Sequence, residues 1–224
     1  MTKVTTINPE PFPSDVVHGF LHRPEPDSGD GVVLSHGAGS NCNAPLLIAV
    51  AEAFSLAGLT ALRCNLPFRD NRPFGPPLPA SAAQDREGLR QALNELRRIV
   101  PGKLFLGGHS YGGRQASILA AEDPDVCSGL VLLSYPLHPP KKPQHMRTEH
   151  FPKLRTPALF THGSNDPFGS IEEVREALSL IRSEHTLRVI SNAGHDLLRG
   201  RLDITGEIVE PFLTLVKRSA QAQP

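Results

Sequence analysis

The chain predicts an α/β protein built on a mostly parallel sheet of about eight strands, with helices on both faces. Two observations carry this expectation. From residue 31 onward, short apolar runs alternate with stretches whose apolar residues recur at helical spacing, and such alternation implies right-handed crossovers between parallel strands. Ahead of them, Lys3 to Ile7 and Val16 to His22 read as an antiparallel pair separated by Asn8-Pro9-Glu10-Pro11-Phe12-Pro13.

The elements follow in order. Asp27-Ser28-Gly29-Asp30-Gly31 is a turn into the apolar strand Gly31 to Ser35. Leu46, Leu47, Val50, Ala51 and Phe54 then mark a helix that stops at Gly58, and Thr60 to Arg63 returns as a strand. Leu66 to Ala80 reads as a proline-rich loop. Leu89, Ala92, Leu93, Leu96 and Ile99 form the stripe of a helix ending before Pro101, and Lys103 to Leu106 is the next strand. Gln115 to Ala121 is helical, Gly129 to Ser134 a strand, and Tyr135 to Arg155 an irregular stretch. Pro157 to Thr161 is a strand, Ser170 to Arg182 a helix and Thr186 to Ile190 the last strand. A final helix is expected over Gly206 to Arg218, kinked or begun at Pro211.

Composition narrows the function. With 224 residues, 39% of them hydrophobic, the chain suffices for one sizeable core, and a single domain over 1–224 is expected. Its 23 basic and 23 acidic side chains balance, with no long basic run, which argues against nucleic acid or an anionic membrane as the main partner. No apolar run reaches spanning length, and the polar start from Met1 to Ser14 does not read as a signal peptide. Cys42, Cys64 and Cys127 lack metal-ligand spacing and suggest a reduced, cytoplasmic protein. His36, His109 and His162 also lack such spacing, so neither a metal nor another cofactor is expected.

Chemistry concentrates at the strand ends, where parallel sheets bind ligands. Gly108-His109-Ser110-Tyr111-Gly112 fits G-x-S-x-G, the strand-to-helix turn that exposes a serine hydroxyl. Asp166 follows the strand ending near Thr161, and His195 follows the strand ending near Ile190. A serine needs a base to take its proton, imidazole titrates near working pH, and a carboxylate fixes the imidazole tautomer. The order Ser, Asp, His is that of an α/β-hydrolase. The backbone N–H of Tyr111 and one from His36-Gly37-Ala38-Gly39 are the candidate oxyanion donors, Ala38 first and Gly37 second.

Other residues are set aside. Asp196 and Asp203 compete as the acid, but Asp196 adjoins His195 and offers poor geometry. Cys42 reads as a buried, inert thiol. Arg63 and Arg69 either border the cleft or carry surface charge, and the surface reading is preferred here.

On these residues the chain resembles the α/β-hydrolase superfamily from about residue 15 to 217. More narrowly it resembles the branch that includes the testis-expressed protein thirty and the third subunit of the NSL acetyltransferase complex. The likeness rests on His36-Gly37-Ala38-Gly39, Leu106 to Arg114, Ser134-Tyr135-Pro136-Leu137-His138-Pro139-Pro140-Lys141, Arg147 with Phe151-Pro152-Lys153-Leu154, and Gly163 to Gly169. The Ser-Tyr-Pro-Leu-His segment is its most specific part. The resemblance implies a small hydrolase-like domain, and the irregular stretch after the Gly129–Ser134 strand is too short to bury a core of its own, so no large cap domain is expected.

The expected activity is hydrolysis of a carboxylic ester or thioester through an acyl-enzyme on Ser110, with a small-molecule substrate. The rival expectation is a non-catalytic interaction module on the same scaffold. Residues 135–155 are expected to form a short proline-rich lid; Lys141, Lys142 and Arg147 either meet an anionic leaving group or form a solvated positive surface, and the surface reading is preferred. Oligomeric state is left open.

Overall fold

The computed structural model describes residues 8–198 and 202–221. Its strands are β1 (Glu10–Pro11), β2 (Gly19–His22), β3 (Gly31–Ser35), β4 (Thr60–Cys64), β5 (Leu104–His109), β6 (Leu130–Leu133), β7 (Ala158–Gly163) and β8 (His185–Ile190). They join in one eight-stranded sheet in the order β1-β2-β4-β3-β5-β6-β7-β8. β3 to β8 are mutually parallel, β2 runs antiparallel to β4, and β1 antiparallel to β2. No large cap domain stands on the sheet among the described residues.

The parallel strands read as unbroken apolar runs because both faces are covered. Successive side chains still go to opposite sides. Val33, Leu104, Leu106, Leu130 and Leu132 enter one core layer with helices α3 (Ala82–Arg97), α4 (Tyr111–Glu122) and α5 (Ile171–Leu178). Val32, Leu34, Phe105, Val131 and Leu133 enter the other with α1 (Pro45–Leu56) and the C-terminal helix. Strand order reverses between β3 and β5, so the crevice beyond their carboxyl ends is the natural ligand site.

Several boundaries differ from the sequence-based expectation. The strand expected over Lys3 to Ile7 lies outside the described residues. The partner of β2 is instead Glu10–Pro11, inside the stretch read as a separator. A two-residue edge strand tolerates Pro11, which needs no donor on its outer side. The proline-rich stretch after β4 holds a short helix α2 (Pro67–Asn71), with Pro67 in its first turn, where a missing N–H costs nothing.

α4 begins directly after Ser110, earlier than Gln115, because tertiary packing outweighs the low helix propensity of Gly112 and Gly113. α5 starts with a capping box, Ser170 Oγ accepting from the Glu173 N–H and Glu173 from the Ser170 N–H, and stops at Leu178. The C-terminal helix opens with a π-helical turn, Thr205–Val209, and continues as α6 (Glu210–Gln221). Pro211 sits where the wide turn tightens, and there its missing donor is accommodated.

The segment from Tyr135 to Arg155 has one 3₁₀ turn, Phe151–Lys153, and buries Tyr135, Leu137, Phe151 and Leu154 in the layer shared with α3, α4 and α5. Tyr135 Oη donates to the Arg147 carbonyl at 2.6 Å, and the Arg147 guanidinium donates to the Pro136 carbonyl at 3.3 Å. Arg147 thus staples this segment to itself. Lys141 and Lys142 are exposed.

Phe212 is fully buried where the C-terminal helix meets the sheet, edge-on to Phe105 at 5.1 Å and Phe54 at 5.7 Å. Phe212→Ala should therefore lower stability by about 3–5 kcal/mol, read as a reduced urea midpoint. A loss under 1 kcal/mol would mean that this layer is not packed as described.

Candidate active site

β5 ends at His109, and Ser110 takes the turn into α4 with φ 52° and ψ −115°. A non-glycine residue avoids this region unless its surroundings enforce it. Here the Ser110 N–H donates to the Leu133 carbonyl of β6 at 2.8 Å. Gly108 and Gly112 are needed beside it. A Cβ at Gly108 would stand 2.5 Å from the Ser35 carbonyl oxygen, and one at Gly112 would stand 2.5 Å from Ser35 Oγ and 2.6 Å from the His36 carbonyl oxygen. The elbow can therefore sit directly against the end of β3.

Loops after β7 and β8 bring two more side chains to Ser110. His195 Nε2 lies 2.8 Å from Ser110 Oγ, and His195 Nδ1 lies 2.8 Å from Asp166 Oδ2. Asp166 is buried, and its Oδ1 accepts the Phe168 N–H at 2.9 Å. Burial pushes the Asp166 carboxyl up. The hydrogen bond with His195, the charge of that imidazole and the Phe168 N–H outweigh burial and hold it below the usual carboxylate range. Asp196 is exposed, and Asp203 accepts the Gly206 N–H at 3.1 Å at the start of the last helix. The structure thus brings Ser110, His195 and Asp166 together and leaves the two rival carboxylates out.

The loop after β3 lies against the elbow: a Cβ at Gly37 would be 3.5 Å from Ser110 Cβ. The Gly37 carbonyl accepts from His36 Nδ1 at 2.8 Å and from the Ser40 N–H at 3.1 Å. A planar trans peptide then turns the Ala38 N–H away from those partners. Neither Ala38 N–H nor Tyr111 N–H has a hydrogen-bond acceptor among the described residues.

Two contacts to His195 escaped the sequence reading. Phe168 stacks on its ring at 4.2 Å and 29°. His109 Nε2–H donates to its carbonyl oxygen at 2.7 Å. Neither leaves a sequence signal, because a carbonyl acceptor and a stacking partner can follow any residue type. Burial lowers the pKa of His109, and the same cause lowers that of His162, 3.8 Å from Asp166.

Arg63 and Arg69 correct the surface-charge expectation, since both are buried. Arg63 donates to His22 Nε2 at 2.9 Å and to the Cys42 carbonyl and Asn43 Oδ1, both at 2.7 Å, and lies 4.3 Å over the Phe20 ring. Arg69 donates to the Ala38 carbonyl at 2.8 Å. Both cations secure the loop after β3 through carbonyl oxygens rather than carboxylates. Cys42 is a buried free thiol, raised mainly by burial. No cluster of three or more His, Cys, Asp or Glu among the described residues would hold a metal ion.

The fold matches those of known proteins. The profile of the alpha/beta hydrolase domain matches residues 29–208. The chain belongs to the alpha/beta hydrolase family. Dienelactone hydrolase from Anabaena variabilis superposes with a TM-score of 0.69 at 22% identity, covering 93% of this chain and 96% of that one. A lidless α/β serine hydrolase from Xanthomonas campestris gives 0.71 at 19% identity, covering 98% of each chain. Est1E from Butyrivibrio proteoclasticus, solved with ferulic acid bound, gives 0.74 at 15% identity, covering 90% and 96%. No helix among the described residues is long and apolar enough to cross a membrane.

Burial makes stability pH-dependent. His36 is wholly buried; its Nδ1–H donates to the Gly37 carbonyl and its Nε2 accepts the Leu66 N–H at 3.1 Å. Burial lowers its pKa to about 4, and His22 and His150 fall to about 4 for the same reason. Above pH 6.5 these imidazoles are neutral in folded and unfolded chains alike. Between 6.5 and 4 the unfolded chain binds protons that the folded one refuses, so stability falls as pH falls. His36 alone should contribute a loss of about 2 kcal/mol at pH 5. Urea midpoints at pH 7.5 and pH 5 should differ accordingly; equal midpoints would contradict neutral burial.

Proposed function

We propose that the protein is a serine hydrolase that cleaves a carboxylic ester or thioester through an acyl-enzyme on Ser110. The observation that carries the proposal is the hydrogen-bond chain Ser110 Oγ–His195–Asp166, 2.8 Å at each link, on a family fold that hosts this chemistry.

In this mechanism the His195 Nε2 removes the Ser110 hydroxyl proton as Oγ attacks the substrate carbonyl. Negative charge gathers on the carbonyl oxygen, where the N–H groups of Tyr111 and Ala38 receive it, with Gly37 the alternative donor. Tyr111 lies at the first position of α4, where the helix dipole adds to its N–H. His195 then protonates the departing alcohol or thiol, water attacks the acyl group with His195 again as base, and Ser110 is released. Asp166 holds the Nδ1–H tautomer and stabilises the imidazolium without itself taking the proton. A low carboxylate pKa suits that role, since the group stays ionised at working pH.

The narrower likeness to the branch with testis-expressed protein thirty and the third NSL subunit is part of the same proposal. So is a cytoplasmic setting, which is supported by three buried free thiols. A small-molecule substrate fits the family, and the segment from 135 to 155 is proposed as a rim to the cleft within one domain.

Labelling and kinetics test the assignment. Ser110→Ala should abolish fluorophosphonate labelling and lower esterase turnover by several decades while the fold persists. A folded wild-type protein that takes up no probe would return the chain to the interaction-module reading. Asp166→Asn should cost on the order of 10⁴-fold in turnover, because the wrong imidazole tautomer would face Ser110. Asp196→Asn should leave turnover within about twofold; the opposite pattern would reassign the acid.

A further inference from the structure

Arg69 is a buried cation with no carboxylate within salt-bridge distance among the described residues. All five of its N–H groups go to backbone carbonyls. Two belong to the loop after β3: Ser40 at 2.7 Å from Nε and Ala38 at 2.8 Å from Nη2. Three belong to the loop after α2: Arg72 at 3.0 Å and Pro73 at 2.7 Å from Nη1, and Gly75 at 3.0 Å from Nη2. One nitrogen reaches both Ala38 and Gly75, so the two loops are neighbours at the carbonyl level. Gly75 has φ +84°, a conformation that lets the chain reverse there.

The fastened loop has an unusual surface. Phe74, between two residues whose carbonyls bind Arg69, is 85% exposed, and Leu78 is 60% exposed. Pro73, Pro76 and Pro79 are exposed around them, and the run Pro73-Phe74-Gly75-Pro76-Pro77-Leu78-Pro79 contains no charged residue. Isolated exposed hydrophobes are ordinary, whereas a contiguous apolar stretch on a rigid frame is typical of a contact surface. The frame matters energetically, because a loop already ordered by three hydrogen bonds from Arg69 and several prolines loses little entropy when a ligand arrives.

We propose that Phe74 is a specificity residue: it forms an apolar lip beside the oxyanion loop and receives an aromatic or other bulky apolar group of the ester substrate. The inference rests on the Ser110 hydrolase reading and narrows its substrate class. The lip acts by contact, so it should be read in KM rather than in the chemical step. Arg69 is a positioning residue that sets the distance between the lip and Ala38.

The test uses ethyl acetate, ethyl benzoate and phenyl acetate with the wild-type protein, Phe74→Ala and Phe74→Tyr. Phe74 is exposed, so these variants should fold. Phe74→Ala should lower kcat/KM for one or both aromatic esters about tenfold, through KM, and leave ethyl acetate within about twofold. Phe74→Tyr should restore the aromatic preference. Equal effects on all three esters, or no effect on any, would overturn the lip. If the wild type cleaves none of the three, fluorophosphonate labelling alone decides the hydrolase reading, and the lip is judged by binding. In that case phenyl acetate, titrated by NMR into Ser110→Ala, should bind more weakly to Ser110→Ala/Phe74→Ala, and equal binding would overturn the proposal.

Discussion

The backbone of Ser110 is the constraint around which this structure is arranged. At φ 52° and ψ −115° the residue sits where side chains are rarely tolerated, at the point where β5 gives way to α4. The strain is carried by neighbours: the Leu133 carbonyl binds its N–H, and the end of β3 packs where Gly108 and Gly112 have no side chains. Because β5 lies in the middle of the sheet, with β3 on one side and β6 on the other, those supports are themselves rigid. A serine raised in this way can meet groups from other strand ends without displacing its own chain.

Phe168 connects those other groups. Its N–H binds Asp166, its ring stacks on His195, and its carbonyl accepts the His138 N–H at 3.0 Å. His138 in turn stands 3.4 Å from Glu173, which completes the capping box of α5. The irregular segment after β6 thereby buttresses the loop that carries the carboxylate. On the opposite side, His109 holds the carbonyl of His195. His36, His109 and His162 all have lowered pKa values from burial, so none adds a positive charge that would oppose an imidazolium at His195.

The two buried arginines do for the loops what the glycines do for the elbow. Arg63 and Arg69 place full charges in the interior and surround them with neutral acceptors, most of them backbone carbonyls. A guanidinium presents several donors in a fixed plane, which suits it to draw separate loops into one arrangement. Lysine, with a single ammonium on a flexible stem, would not span the same acceptors.

Much of this was legible in the sequence. Alternating apolar runs determine a parallel sheet because strands covered on both faces cannot spare polar positions. The G-x-S-x-G turn, Asp166 and His195 each follow a run that must be a strand, so their convergence at one sheet edge follows from topology. Local chemistry could not reveal the edge pairing of Glu10–Pro11, since two residues carry no periodicity. Nor could it reveal the burial of Arg63 and Arg69, most of whose partners are carbonyls that every residue owns. The contacts of His109 and Phe168 with His195 span 86 and 27 positions of chain, and only the tertiary structure decides them. Periodicity records which face a residue serves; it holds no record of which backbone oxygen or ring will stand opposite once distant strands are side by side.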